Sequence, residues 1–284
     1  MKENYKRLIE QIAKSTREGI FGEAALSSSK DYEGLPLDIT RLTKFIHELS
    51  IEISSNNSDI NSAVYYFWQV LVTVYRDCKK KDVKIATTFV NSFIEDYPEM
   101  PNTALILRWN SLSQSVFAFK SVSFSGDPLL IWQQTSRLFL DYNEFMDGLL
   151  GYLIISLRCT MEKKINPNIF RSFYAVKAKQ FEELTDGENG IFYLFHRIIK
   201  PKLRNGIAHG NAWLDRENMK VHYIDGKTEC EYKIDLFEFG VLSLLGSHIA
   251  KSYMAALATI VIWEDGTKEQ KLSLPQNLVK LLST

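Results

Sequence analysis

The feature that most constrains this chain is a recurrence of apolar residues at three- and four-residue spacing. Ile60, Val64, Phe67, Trp68, Leu71, Val74 and Tyr75 fall on one stripe of a helix, which an alternating strand would not produce. The same period runs through most of the sequence. Tyr5, Leu8, Ile9 and Ile12 make an apolar face near the start, residues 38–54 read as a second helix, and Ser58 or Asp59 is placed to cap a third. A fourth runs from about Lys81 to "YPEMP", where Pro98 and Pro101 cannot continue the hydrogen-bond ladder. Helices over residues 103–120, 128–159 and 167–184 follow, then one over 189–209, in which Pro201 makes a kink or starts a fresh turn, and a last one over 235–263, with a polar tail behind it.

Sheet is expected in one place. "MKVHYIDGKTECEYKI" has two short alternating arms around Asp225-Gly226, the signal of a two-residue hairpin turn. The expected fold class is therefore all-α: an up-and-down helical bundle with a helical N-terminal extension and one small β-hairpin before the last helix. The "YPEMPN" break divides it into residues 1–100, a helical domain suited to regulation or sensing, and residues 101–284.

Composition narrows the function. Lys and Arg together number 34, as do Asp and Glu, so any contact with a polyanion has to come from a local patch. Cys78, Cys159 and Cys230 are far apart and odd in number, which fits a reducing cytoplasm and neither a disulfide framework nor a metal clamp. The apolar stretch over residues 236–263 is cut by Glu238 and Lys251 into two charge-free runs of 12 residues. A membrane span needs about 20, so this stretch reads as a core helix and no membrane partner is expected. Phosphate-binding glycine loops, His-Glu-x-x-His and Gly-x-Ser-x-Gly motifs are missing from the sequence. Trp109 and Trp132 lie on helical stripes and read as core.

The chemistry concentrates in "PKLRNGIAHGNAW", residues 201–213. At about 100° per residue, Leu203 and Ile207 share one edge, while Arg204, Asn205 and His209 share the surface turned away from it. Asn205 and His209, four apart, are neighbours. Gly206 and Ala208 are small enough to admit another backbone, and Gly210 is placed to end the helix in the left-handed conformation. His209 stands in the last turn, where the helix dipole favours a cation. Arg204 keeps its charge and presents a planar fork suited to phosphoryl oxygens. From Gly151 to Gly210 ten basic residues face five acidic ones, among them Lys200 and Lys202, the residues expected to hold substrate phosphates. His47, His196, His222 and His248 are scattered and read as structural. Asp141, Glu144 and Asp147 on the long helix read as structural or solvated, with orientation of Arg204 or His209 as the lesser alternative.

"LRNGIAHG" resembles the signature of the HEPN superfamily, an Arg and a polar residue, then three more residues and a His, near the end of a long helix. The likeness extends to "DYNEFMDGLLGYLIISLRC", to the entry "IFYLFHRIIKPKLRN" and to the hairpin-like "AWLDRENMKVHYIDG" with its final helix, over roughly residues 103–263. It implies a bundle that forms a homodimer with two motifs facing one cleft, and a metal-independent endoribonuclease with no cofactor. Arg204 and His209 would be catalytic, Asn205 would orient them, and RNA would be the substrate. Family habit adds a role as a toxin or anti-phage defence effector, with a regulatory partner reaching the N-terminal helices. The alternative is a non-catalytic helical adaptor or antitoxin that binds a partner protein or nucleic acid. Antitoxin relatives carry a Tyr two residues after the His, where this chain has Asn211.

Overall fold

The computed structural model describes residues 39–55, 59–122, 126–226 and 228–284, together with Glu10, Lys14, Arg17 and Glu18. The expected first amphipathic face at Tyr5, Leu8, Ile9 and Ile12 lies outside these residues, as does Ser58. In chain order the helices are α1 (Ile39–Ser55), α2 (Asp59–Lys81), α3 (Val83–Asn91), α4 (Ile106–Val122), α5 (Pro128–Thr160), α6 (Tyr174–Leu184), α7 (Tyr193–Ile198) and α8 (Pro201–Ala208). Strands β1 (Ala212–Asp215), β2 (Lys220–Ile224) and β3 (Glu231–Asp235) precede α9 (Leu236–Asp265), α10 (Lys268–Leu272) and α11 (Gln276–Ser283). The fold is all-α with one small sheet, as the periodicity requires.

Three local differences have physical causes. The sheet has three antiparallel strands in the order β1-β2-β3 rather than one hairpin. Its second connection is not a two-residue turn: the Asp225 N–H donates to the Cys230 carbonyl, and the Asp225 carbonyl accepts from Thr228 and Glu229, which makes a longer loop. The tail is helical because Thr267 and Gln270 form a reciprocal capping box that starts α10, and Leu274 and Leu278 are buried.

The chain divides into two compact units, one of residues 1–104, 155–167 and 251–284, the other of residues 105–154 and 168–250. The chain thus passes between units at Ala104–Leu105, beside the "YPEMPN" segment, and three times more. In the first unit α2 carries Trp68, whose indole N–H donates to Thr259 Oγ1 at 3.0 Å. Ser252 Oγ donates to the Val64 carbonyl at 2.9 Å, and Ser92 and Tyr253 share a 2.6 Å hydroxyl contact. The polar atoms of these three contacts are each satisfied by a neighbour, so their desolvation is offset. Asp82 caps α3 by accepting from the Lys84 and Ile85 N–H groups, which starts that helix at Val83 rather than Lys81. The most apolar 18 residues of α9 are 83% buried, the burial of a core helix.

In the second unit the core centres on α5, with Leu138, Phe139, Tyr142, Phe145, Met146 and Leu149 all fully buried. A Cβ on Gly246 of α9 would lie 2.6–2.7 Å from three ring carbons of Tyr142. That ring cannot withdraw, since its hydroxyl donates to the Ile198 carbonyl at 3.0 Å and Phe139 packs edge-on with centroids 5.1 Å apart. Gly246→Ala should therefore lose more by overpacking, about 1–3 kcal/mol, than the ~1 kcal/mol it gains in helix propensity. A lower urea midpoint for Gly246→Ala is the expected result; an unchanged or raised midpoint contradicts this packing.

Candidate active site

Residues 193–209 form two helices where periodicity alone suggests one, because Pro201 lacks an N–H and disfavours helical geometry in the residue before it. Lys200 accordingly sits at φ −127°, ψ 72°, and Pro201 takes the first position of α8, where its missing donor costs nothing. The other end stops on Gly210, at φ +71°. The Gly210 N–H donates to the Ile207 carbonyl at 3.2 Å and the Asn211 N–H to the Gly206 carbonyl at 2.8 Å, the paired closure of a Schellman motif. The Asn211 carbonyl then accepts from the Ile224 N–H at 2.9 Å, so one residue ties the helix end to β2.

Between these two stops the motif is displayed. Arg204 Nη2 donates to Glu144 Oε1 of α5, and Nη1 donates to Asn205 Oδ1 at 3.2 Å. A guanidinium has five N–H donors; two are engaged by these contacts and three are not. His209 follows α8 as its capping residue at φ −98°, ψ 10°, and its backbone N–H donates to the Asn205 carbonyl at 3.0 Å. Its imidazole is exposed and makes no hydrogen bond among the described residues. Arg204 and Asn205 are thus joined side chain to side chain, and His209 is joined to Asn205 through the backbone. Glu144, sixty residues earlier, is the orienting carboxylate.

The buried edge of α8 differs from expectation. It is Leu203 and Gly206 that are buried, with Ile207 half-exposed. A Cβ on Gly206 would meet Tyr223 Cβ at 3.0 Å and the Ile224 carbonyl oxygen at 3.5 Å. The absent side chain therefore admits the chain's own strand β2, and Gly206 is not open to a second copy. Ala208 and His209 remain exposed. The two lysines part company as well. Lys202 Nζ donates to the Tyr232 hydroxyl at 3.0 Å and lies 3.8 Å from Asp225 Oδ2, contacts that raise its pKa. Lys200 lines an open groove of about 470 Å³ with Glu188, Arg197, Phe237 and Val241. Neither lysine side chain forms a hydrogen bond or ion pair with the Arg204 or His209 side chain among the described residues.

Behind the motif lies a second carboxylate. Asp147, one turn after Glu144, accepts from Lys177 Nζ at 2.8 Å and lies 3.5 Å from Arg108 Nη1. The Lys177 side chain is only 2% exposed, so this lysine drops out of the basic surface that sequence counting suggested. Burial lowers its pKa, with Asp147 opposing. Tyr174 is buried and its hydroxyl has no hydrogen-bond partner among the described residues. Burial holds that hydroxyl well above the ordinary tyrosine range, with Tyr142, Asp147 and Glu144 adding to the effect and Arg204 opposing it.

The remaining histidines are placed otherwise. His196 Nε2 lies 2.7 Å from Thr185 Oγ1 and its ring packs on Phe181; burial lowers its pKa. His222 stacks on Trp213 of β1, an exposed indole that helical reasoning had no means of noticing. Asp141 accepts from Ser115 Oγ and takes no part in the motif. Among the described residues no group of three His, Cys, Asp or Glu side chains lies close enough to hold a metal ion.

The two carboxylates should respond differently to truncation. Asp147→Ala strands a buried ammonium and should cost about 3–5 kcal/mol. Glu144→Ala opens a pair whose carboxylate is 44% exposed and should cost less than about 1 kcal/mol. Denaturant unfolding of both variants checks this, and equal losses would contradict it. Compared with protein-family models, with curated proteins and with solved structures, the chain matches none.

Proposed function

We propose that this chain is a metal-independent endoribonuclease of the HEPN type, cleaving RNA at a composite site shared by two copies. The observation that carries the reading is Arg204, pinned by Glu144 and Asn205 with three donors still available, on the same short helix that ends at an exposed His209. The chemistry follows from those groups. A ribose 2′-OH attacks the adjacent phosphorus while one imidazole takes its proton. The P–O5′ bond breaks as a second imidazole, supplied by the other copy's His209, gives a proton to the departing oxygen. The products are a 2′,3′-cyclic phosphate and a 5′-OH. Arg204 meets the charge that gathers on the phosphoryl oxygens, and Asn205 fixes its fork. By family habit the cellular role is that of a toxin or anti-phage effector.

A second reading, a non-catalytic helical adaptor or antitoxin, draws on the same pair: a guanidinium already matched to Glu144 is also what a structural ion pair needs. The two separate cleanly. With labelled single-stranded RNA in EDTA, wild type should cleave, and His209→Ala should be slower by at least about 100-fold, the low end of acid–base catalysis. Arg204→Ala should lose a comparable factor. Identical behaviour of wild type and both variants would remove the ribonuclease reading and leave the adaptor.

A further inference from the structure

We propose that Tyr232 is a positioning residue, holding the Lys202 ammonium as a subsite for a backbone phosphate that flanks the one being cut. The substrate is then a strand with at least two phosphates. The ligand's identity rests on the ribonuclease reading; the subsite's place rests on the following geometry. Helix α8 crosses the sheet. Lys202 near its start reaches Tyr232 of β3, Gly206 in its middle lies against Tyr223 of β2, and the chain enters β1 at Ala212, three residues after His209. Tyr223 and Tyr232 stand directly opposite each other, their rings stacked with centroids 5.4 Å apart and planes 19° apart. Strands lie about 4.8 Å apart, so the helix passes from β3 to β1 over about 10 Å. Lys202 and His209 are seven residues apart, two turns that put them on one side of the helix about 10 Å from each other along its axis. The two distances agree.

This face of the sheet suits an anion. Strand alternation gives it Tyr223, Tyr232 and aliphatic side chains, while Asp215, Glu231 and Asp235 project from the opposite face. Lys202 Nζ donates to the Tyr232 hydroxyl at 3.0 Å and stands 4.9 Å from its ring centroid. An ammonium has three N–H donors, and this is the one hydrogen bond it makes among the described residues. Asp225 Oδ2 lies beyond hydrogen-bond length at 3.8 Å and accepts instead from Thr228 Oγ1 at 3.1 Å. Its side chain is 10% exposed against 58% for Lys202. Glu229 of the same loop makes no ion pair with Lys202 among the described residues. A lysine is a compact charge on a flexible stem, and an acceptor at its tip confines it. The tyrosine hydroxyl does so without cancelling the charge, as a carboxylate in that place would. On the proposed reading the scissile phosphate belongs to Arg204 and His209, so an ammonium two turns away meets a neighbouring phosphate of the same strand.

The test uses full-length His209→Ala, so that RNA stays whole, and fluorescence anisotropy with a labelled oligouridine over a range of KCl. Adding Lys202→Gln should weaken binding about tenfold at low salt, the lower end for a hydrogen bond to a charged group. It should also lower the slope of log affinity against log salt by about 0.7, one phosphate on a single strand. Tyr232→Phe should weaken binding about threefold, the size of a neutral hydrogen bond, with the slope kept, and should add nothing in the Lys202→Gln background. When neutral methylphosphonates replace the linkages one at a time, one position should cost the parent as much as Lys202→Gln does and cost the Lys202→Gln protein nothing. A slope and linkage profile that Lys202→Gln leaves unchanged overturn the subsite even where RNA is cleaved, and the ribonuclease reading then stands alone. A Lys202-dependent slope in a wild-type protein that never cleaves RNA keeps the subsite and removes the ribonuclease reading. Lower urea midpoints for Lys202→Gln and Tyr232→Phe with RNA affinity unchanged would make the contact a latch between α8 and β3, and the proposal is overturned.

Discussion

One hydrogen bond sets the position of everything after it: the buried hydroxyl of Tyr142 donating to the Ile198 carbonyl. That carbonyl belongs to the last residue of α7, where the coming Pro201 leaves acceptors without intrahelical donors. Supplying the donor from inside the core fixes where α7 stops and hence where α8 starts. The Tyr142 ring is itself wedged by Gly246 on α9 and Phe139 on its own helix, so the hydroxyl has little freedom to aim elsewhere. The motif helix is short, eight residues, too short to be stable from its own hydrogen bonds. Its geometry is borrowed from this contact at one end and from the Gly210 closure and β2 at the other.

On that frame α5 presents two carboxylates one turn apart with opposite fates. Asp147 points into the core and neutralises Lys177, a charge that would otherwise be buried alone. Glu144 lies nearer the surface and takes one nitrogen of Arg204. The difference matters for function on the proposed reading. A fully buried arginine pair would be closed to substrate, and an unpaired arginine would have its fork free to rotate. A half-exposed pair, with the guanidinium 25% exposed, holds orientation and leaves donors to spare.

Much of this was legible in the sequence because it depends on local rules. The 3.6-residue period located the long helices, and the left-handed stop at Gly210 followed from a glycine after a helical pattern. Pro201 announced a break, although the pattern could not say that two separate helices would result. What was hidden depends on distance. The Leu203–Gly206 edge is buried because β2 arrives there, and no spacing rule shows a strand's approach. Lys177 counts as a surface cation in any tally of charge until Asp147 is found beside it. Trp213 looked unremarkable because its partner is His222 across the sheet, and a three-stranded register was not visible in an alternating stretch of two arms. Thr267 with Gln270 was a readable cap that the polar composition of the tail obscured.

On the proposed reading a 2′-hydroxyl does the cutting, and protein groups only move protons and hold charge. The most direct measurement places a single 2′-deoxynucleotide at the mapped cleavage position of an otherwise all-ribose oligonucleotide and analyses the product ends. Cleavage should stop at that linkage alone, and the unmodified RNA should give a 2′,3′-cyclic phosphate beside a 5′-OH. Cutting that continues at the deoxy position, or products ending in 5′-phosphate, would mean that water or a metal hydroxide is the nucleophile and would contradict it.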